Sequence, residues 1–167
     1  MSYDAAAVAK HEELRLVTFS SEVAFTLGVR LREYLRSKFP GEPAIIDIRA
    51  AASEQQYFFA TCAEGSMLDQ MRWAQRKRNV VLRWGKSTAS MNIKTNGGNI
   101  PAHYGINADD YACHGGGFPI RVQGVEPLVG VICVSGLKQE DDHQVIVDVL
   151  SELIEEQEKE KAAKTAK

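Results

Sequence analysis

The run Pro127–Gly136, PLVGVICVSG, constrains the fold of this chain more than any other segment. It is almost continuously apolar, and it follows a turn signal at Gly124-Val125-Glu126. A strand apolar on both sides reads as a central strand, covered above and below. Periodicity alone does not separate a buried strand from a buried helix, so the neighbouring segments decide. Just upstream, Phe118, Ile120 and Val122 alternate with other residues as a strand does. Ile46 and Ile48 alternate with Asp47 and Arg49, and Tyr57 to Cys62 is aromatic and largely apolar. The short link through Ser53 and Glu54 makes these last two an antiparallel pair. Leu14 to Thr18 reads as a further short strand.

Helical spacing fills the gaps. Ser20 or Ser21 caps a helix that carries Ala24, Leu27, Leu31, Tyr34 and Leu35. Arg36 and Lys38 suit its carbonyl end, and Pro40-Gly41 stops it. A second helix is expected to open at Ser66, with Asp69 completing a capping box. Met67, Met71, Ala74 and Val81 form its stripe, and Gly85 ends it. A last helix begins near Asp141 and Asp142 and presents Ile146, Val149, Leu150, Leu153 and Ile154. The order strand, helix, strand, strand, helix, loop, strand, strand, helix specifies an α+β domain with a mainly antiparallel sheet of five strands flanked by helices.

Composition narrows the function classes. Among 167 residues, 20 are Lys or Arg and 22 are Asp or Glu, a formal charge of −2, so no global field recruits nucleic acid or a membrane surface. Three cysteines make an odd number and argue for a reducing compartment. MSYDAAAVAK has no secretory pattern, and no apolar run approaches the ~18 residues of a membrane span. The expectation is a cytoplasmic protein.

The segment 96–119, NGGNIPAHYGINADDYACHGGGFP, is where function is expected. So long a non-periodic stretch inside a compact domain is functional or disordered, and Ile100, Tyr104, Ile106, Tyr111 and Phe118 anchor it against disorder. Gly115, Gly116 and Gly117 allow positive φ, close approach, or an anion-binding nest of amides. The candidate pocket comprises His103, Tyr104, Asp109, His114, Gly115, Gly116 and Gly117. His103, Cys113 and His114, with Asp109 and Asp110, lack an established metal spacing, and no metal is expected. Adjacent Cys113 and His114 point apart on an extended loop, against a catalytic pair. HGGG resembles an esterase oxyanion motif, but Ser135 lacks the nucleophile elbow. Arg72, Arg76, Lys77, Arg78, Arg83 and Lys86 read as a solvated basic face. The aromatics Trp73, Trp84, Tyr104 and Phe118 are candidates for an oligomer interface.

Several motifs together carry a family resemblance: the glycine turn with Phe118-Pro119, GVEPLVGVICVSGL, and EDDHQVIVDVL. They resemble the haem-degrading-domain superfamily, which includes GlcG-like and HbpS-like proteins and the carboxy-terminal domain of PduO. NGGN, PAHYGIN and RKRNVVLRWG are similar to its small stand-alone branch in fungi and bacteria. The resemblance spans roughly Glu13 to Leu153. It implies a profilin-like or PAS-like, GlcG-like fold, with residues 1–12 as a lead-in, 13–155 as a single domain and 156–167 as a charged tail. It also implies homo-oligomers, and haem or corrinoid-type ligands in some relatives. No histidine lies within the helix that opens near Ser21, which leaves His11, His103, His114 and His143 as candidate haem ligands; the haem reading takes His103 or His114 as axial ligand, with Asp109 or Asp110 behind it.

Three functions follow as expectations. The first is an oligomeric cytoplasmic protein with a small-molecule pocket at the glycine-rich loop 96–119. The second is a haem or tetrapyrrole binder. The third is a protein recruited to a chaperone or helical-repeat partner through its tail. Whether any reaction is catalysed, and by which residues, is left open by the sequence.

Overall fold

The structure is a computed structural model that describes residues 3–166; Met1 and Ser2 of the expected lead-in and Lys167 of the tail lie outside it. Five α-helices and four strands follow in the order α1 (Ala5–His11), α2 (Ser21–Lys38), β1 (Ile45–Ala50), β2 (Gln56–Thr61), α3 (Leu68–Trp84), α4 (Thr88–Lys94), β3 (Gly117–Ile120), β4 (Gly130–Ser135) and α5 (Gln139–Thr165). The sheet order is β2-β1-β4-β3, antiparallel throughout, with Ile46 opposite Ala60 and Val134, and Phe118 opposite Ile132.

The apolar run is a strand with a helical layer on each face. Ile132 and Val134 join Ile46 and Ile48 beneath α2 and α5, among Leu27, Leu31, Ile146 and Leu150. Val131 and Cys133 point the other way, with Ile45, onto Ala74 and Val81 of α3. All six residues of β4 are therefore buried, as the loss of alternation predicts. The fold is the α+β arrangement expected, with helices flanking an antiparallel sheet.

Among the described residues the sheet has four strands, not five. Leu14 to Thr18 forms only an isolated bridge between Leu16 and Val122. The Leu16 N–H donates to the Arg121 carbonyl and the Gln123 N–H to the Leu16 carbonyl, both at 2.9 Å. The next two amides, of Val17 and Thr18, donate instead to Oε1 of the buried Gln157 side chain at 2.8 and 3.2 Å. A side chain on α5 thus takes the hydrogen bonds a ladder would need.

Helix starts differ in detail. Ser20 caps α2 as expected, accepting from the Val23 N–H. For α3 the reciprocal partner is Gln70, whose Oε1 accepts the Met67 N–H at 2.6 Å, so the cap sits one residue beyond the Ser66–Asp69 pattern. Helix α5 begins at Gln139, two residues before Asp141, and runs unbroken to Thr165. Helix α4, capped by Ser87, has no counterpart among the expected elements. Among the described residues no helix is long and apolar enough to cross a membrane.

Candidate functional site

The irregular segment after α4 lies along α3, and the polar side chains of that helix hold it. Unpaired loop carbonyls need donors, and α3 supplies three. Arg83 Nη2 donates to the Tyr104 carbonyl at 3.3 Å, Asn79 Nδ2 to Asp110 at 2.8 Å, and Arg76 Nη2 to Tyr111 at 3.3 Å. The chain therefore runs antiparallel to α3, from its carboxyl end back toward its amino half. Two single 3-10 turns, Ala102–Tyr104 and Ala108–Asp110, shape it. Val80, Met91 and Cys113 anchor it below, with Ile100, Trp84 and Tyr111 around them.

This course divides the expected site residues into two groups. His103 stacks on Tyr104 at 4.7 Å between centroids, and Tyr104 meets the edge of Trp84 at 5.6 Å. His103 and Asp109 are both exposed. His114 packs edge-on against Trp73, 4.8 Å between centroids. Trp73 and Trp84 are eleven residues apart on one helix, about 16 Å at the usual rise of ~1.5 Å per residue. His103 and His114 therefore sit at opposite ends of the segment, and Asp110, held at Asn79, lies between them.

The three glycines follow His114 as a closely packed turn. Gly116 has φ +114°, and a Cβ there would overlap the Val134 carbonyl oxygen and come within 2.9 Å of both Asp142 Cβ and Lys77 Nζ. The Val134 N–H donates to the Gly116 carbonyl at 2.8 Å, which fixes this approach. The Gly115 N–H donates to the Tyr3 hydroxyl at 3.0 Å and the Gly117 N–H to Thr88 Oγ1 at 2.9 Å. Two of the three amides are consumed inside the protein. The glycine run is accordingly a close-packing device rather than an anion-binding nest.

The pocket beside His114 measures about 300 Å³, and of the expected site residues His114 alone lines it. Trp73 and His114 line one side, Met67 and Gln70 the mouth on α3, and Leu137 and Gln139 the approach to α5. Its floor is an ion pair: Lys77 Nζ donates to Asp142 Oδ2 at 3.0 Å and to the Val134 carbonyl at 2.9 Å, with side chains 3% and 2% exposed. Asp142 Oδ1 accepts the Leu137 N–H at 3.1 Å. Burial pushes the Asp142 carboxyl up, opposed by the Lys77 ammonium and the backbone N–H groups of Leu137 and Gly136. Burial, then the charges of Lys77 and Arg76, push His114 down, so its imidazole is neutral at neutral pH. A second hollow of about 470 Å³ opens on the other side of His114, beside Tyr3, Asn92 and Gly97.

Reading α3 as a solvated basic face is corrected by the structure at two positions. Lys77 and Arg78 are buried, Arg78 Nη1 donating to buried Asp47 at 2.6 Å. The signal was present: Lys77 stands three residues after Ala74 and four before Val81, on the apolar stripe. Asp142 likewise precedes Val145, Ile146 and Val149 at helical spacing. Phe118 is 1% exposed, so it leaves the set of interface aromatics.

The other clusters offer less chemistry. His143 Nε2 lies 3.0 Å from His11 Nδ1, and burial, reinforced by His11, pushes His143 down to about 4. A hollow of about 460 Å³ beside Arg32 and Arg36 holds Cys62, whose thiol burial pushes up to about 11 against the two guanidinium charges. That thiol is inert at neutral pH. Among the described residues no three His, Cys, Asp or Glu side chains converge as a metal site would require.

Comparison with known proteins settles the lineage. Residues 19–151 match the family described as "Haem degrading protein HbpS-like". The chain belongs to that family. It is 36% identical over 147 residues to the "UPF0303 protein" of Psychromonas ingrahamii, covering 87% of this chain and 89% of the relative. The crystal structure of the Ybr137w protein superposes with a TM-score of 0.86 at 31% identity, over 93% of this chain and 90% of the other. The structure of a PduOC:haem complex shares the fold, with a TM-score of 0.64 at 14% identity over 81% and 94% of the two chains.

Proposed function

We propose that this protein is a homo-oligomeric, cytoplasmic binding protein whose pocket beside His114 holds a compact, planar small molecule against the paired rings of Trp73 and His114. The observation that carries the reading is an aromatic wall facing a small cavity with a buried charged floor. Ligand sites are concave, largely apolar and equipped with a few placed polar groups, which describes this one. At about 300 Å³ it stands at the lower end of the usual ~300–1,000 Å³, a volume for one or two fused rings. In this reading Gly115, Gly116 and Gly117 set the position of His114, while His103, Tyr104 and Asp109 form the outer end of the same segment. Exposed Phe25, Phe59, Met67 and Leu68 supply apolar surface suited to a contact between copies. Three unpaired cysteines fit a reducing compartment.

Nuclear magnetic resonance with indole as the probe tests the pocket. Shifts centred on the Trp73 indole N–H and the amides of His114 to Gly117, lost in Trp73→Ala, are expected. An unchanged spectrum at millimolar indole would overturn it.

Haem is the second reading, favoured by the neutral, exposed imidazole of His114 at the pocket rim and by the haem-bound fold relative. The family implies such a group, and its residues fit in part. His114 can offer a lone pair, whereas the cavity takes less than a whole macrocycle. His11 and His143 are tied to each other, and His103 stacks on Tyr104. A haemin titration with a Soret band that shifts in His114→Ala supports haem; identical spectra in both proteins remove it.

A further inference from the structure

Lysine carries three N–H donors, and Lys77 spends two of them, on Asp142 Oδ2 and the Val134 carbonyl. Among the described residues the third has no acceptor, although the side chain is 3% exposed and forms part of the pocket wall. Buried donors are as a rule satisfied, and an unspent one on a charged group is costly. A ligand atom is the natural acceptor. Its charge can also be inferred. Asp142 already neutralises Lys77 at hydrogen-bond distance, so a ligand carboxylate at the same nitrogen would bring two carboxylates to one ammonium in a buried site. A neutral oxygen adds a hydrogen bond and no charge. The lining amides of Gln70 and Gln139 offer both donors and acceptors to the rest of such a group.

We infer that the pocket selects planar ligands that carry a neutral carbonyl, best a carboxamide, and that Lys77 Nζ donates its third hydrogen to that oxygen. Trp73 and His114 hold the ring, and Lys77 decides which ring is kept. This rests on the pocket reading given above, and the experiment separates the two.

Indole-5-carboxamide, indole-5-carboxylate and 5-methylindole share one ring system and differ only in the group offered to Lys77. Their dissociation constants are read from shifts of the Trp73 indole N–H and the His114 amide. The carboxamide is expected to bind at least tenfold more tightly than 5-methylindole and more tightly than the carboxylate. Because Lys77→Met alone strands a buried carboxylate, the comparison uses the double variant Lys77→Met/Asp142→Leu, checked for folding by its amide spectrum. There the preference for the carboxamide should fall to within twofold of 5-methylindole. If the double variant does not fold, Asp142→Gln serves instead; it keeps Lys77, and the margin of carboxamide over carboxylate should shrink or reverse. Three equal affinities in the native protein would overturn the selection while leaving the pocket standing. So would a tighter carboxylate. No shift from any of the three would overturn the pocket and the selection together.

Discussion

Gly116→Ala should be among the most damaging single-methyl additions to this protein. The backbone at Gly116 has φ +114°, a region L residues rarely adopt, and the added Cβ would overlap the Val134 carbonyl oxygen. Relief by separation is blocked, because the Val134 N–H donates to the Gly116 carbonyl at 2.8 Å. Forcing a non-glycine residue into such a conformation costs about 1–3 kcal/mol. Lengthening the bond to Val134 adds about 1 kcal/mol. The expected loss is thus roughly 2–4 kcal/mol, or about 5–15 °C in Tm for a chain of this size. Gly97→Ala is the matched control: φ is +89°, but nothing lies within 4 Å of the new Cβ, so only backbone strain of about 1 kcal/mol is added. Urea denaturation of both variants measures the difference. Equal losses would refute the argument that close packing against Val134, rather than positive φ alone, dictates glycine here.

Lys77→Met should cost about 3–5 kcal/mol by stranding the Asp142 carboxylate, and adding Asp142→Leu should restore most of it; chemical denaturation decides, and a double variant no better than the single would contradict the pairing. Stability should fall as the solution is acidified from pH ~6.5 toward 4. Unfolded histidine takes up its proton near 6.5, whereas His143 in the folded protein resists until about 4, so the unfolded state binds more protons in that window. The slope attributable to this residue approaches about 1.4 kcal/mol per pH unit and should vanish in His143→Leu, measured by urea titrations at successive pH values. Gln157→Ala should expose the Val17 and Thr18 amides to hydrogen exchange, with a loss of about 1–2 kcal/mol; unchanged protection would contradict its role in place of the missing strand. Sedimentation at micromolar concentration should show a species heavier than the monomer, and a monomer alone would remove the oligomer proposal.

How far the sequence speaks depends on the kind of interaction involved. Ser20 as the cap of α2 and the unbroken apolar run of β4 are local signals, and both report the structure directly. Leu14 to Thr18 has strand composition, yet its pairing is settled by Gln157, some 140 residues away, which no local pattern contains. Lys77, Arg78 and Asp142 were legible in position but not in meaning. Their helical phase puts them inward, while their charge argues outward, and only the partners Asp47 and Val134 resolve the conflict. The glycine run was readable as a place of close approach; what approaches it, Tyr3 and Thr88 at its amides and Val134 at its carbonyl, was not. His114 belongs with Trp73 because the segment lies antiparallel to α3, a tertiary fact with no sequence spacing behind it.

The most direct measurement is a crystal structure of the protein grown with indole-5-carboxamide. The ring is expected against the Trp73–His114 pair, with its carbonyl oxygen at hydrogen-bond distance from Lys77 Nζ. A ring bound elsewhere, or a pocket left empty at saturating ligand, would contradict it.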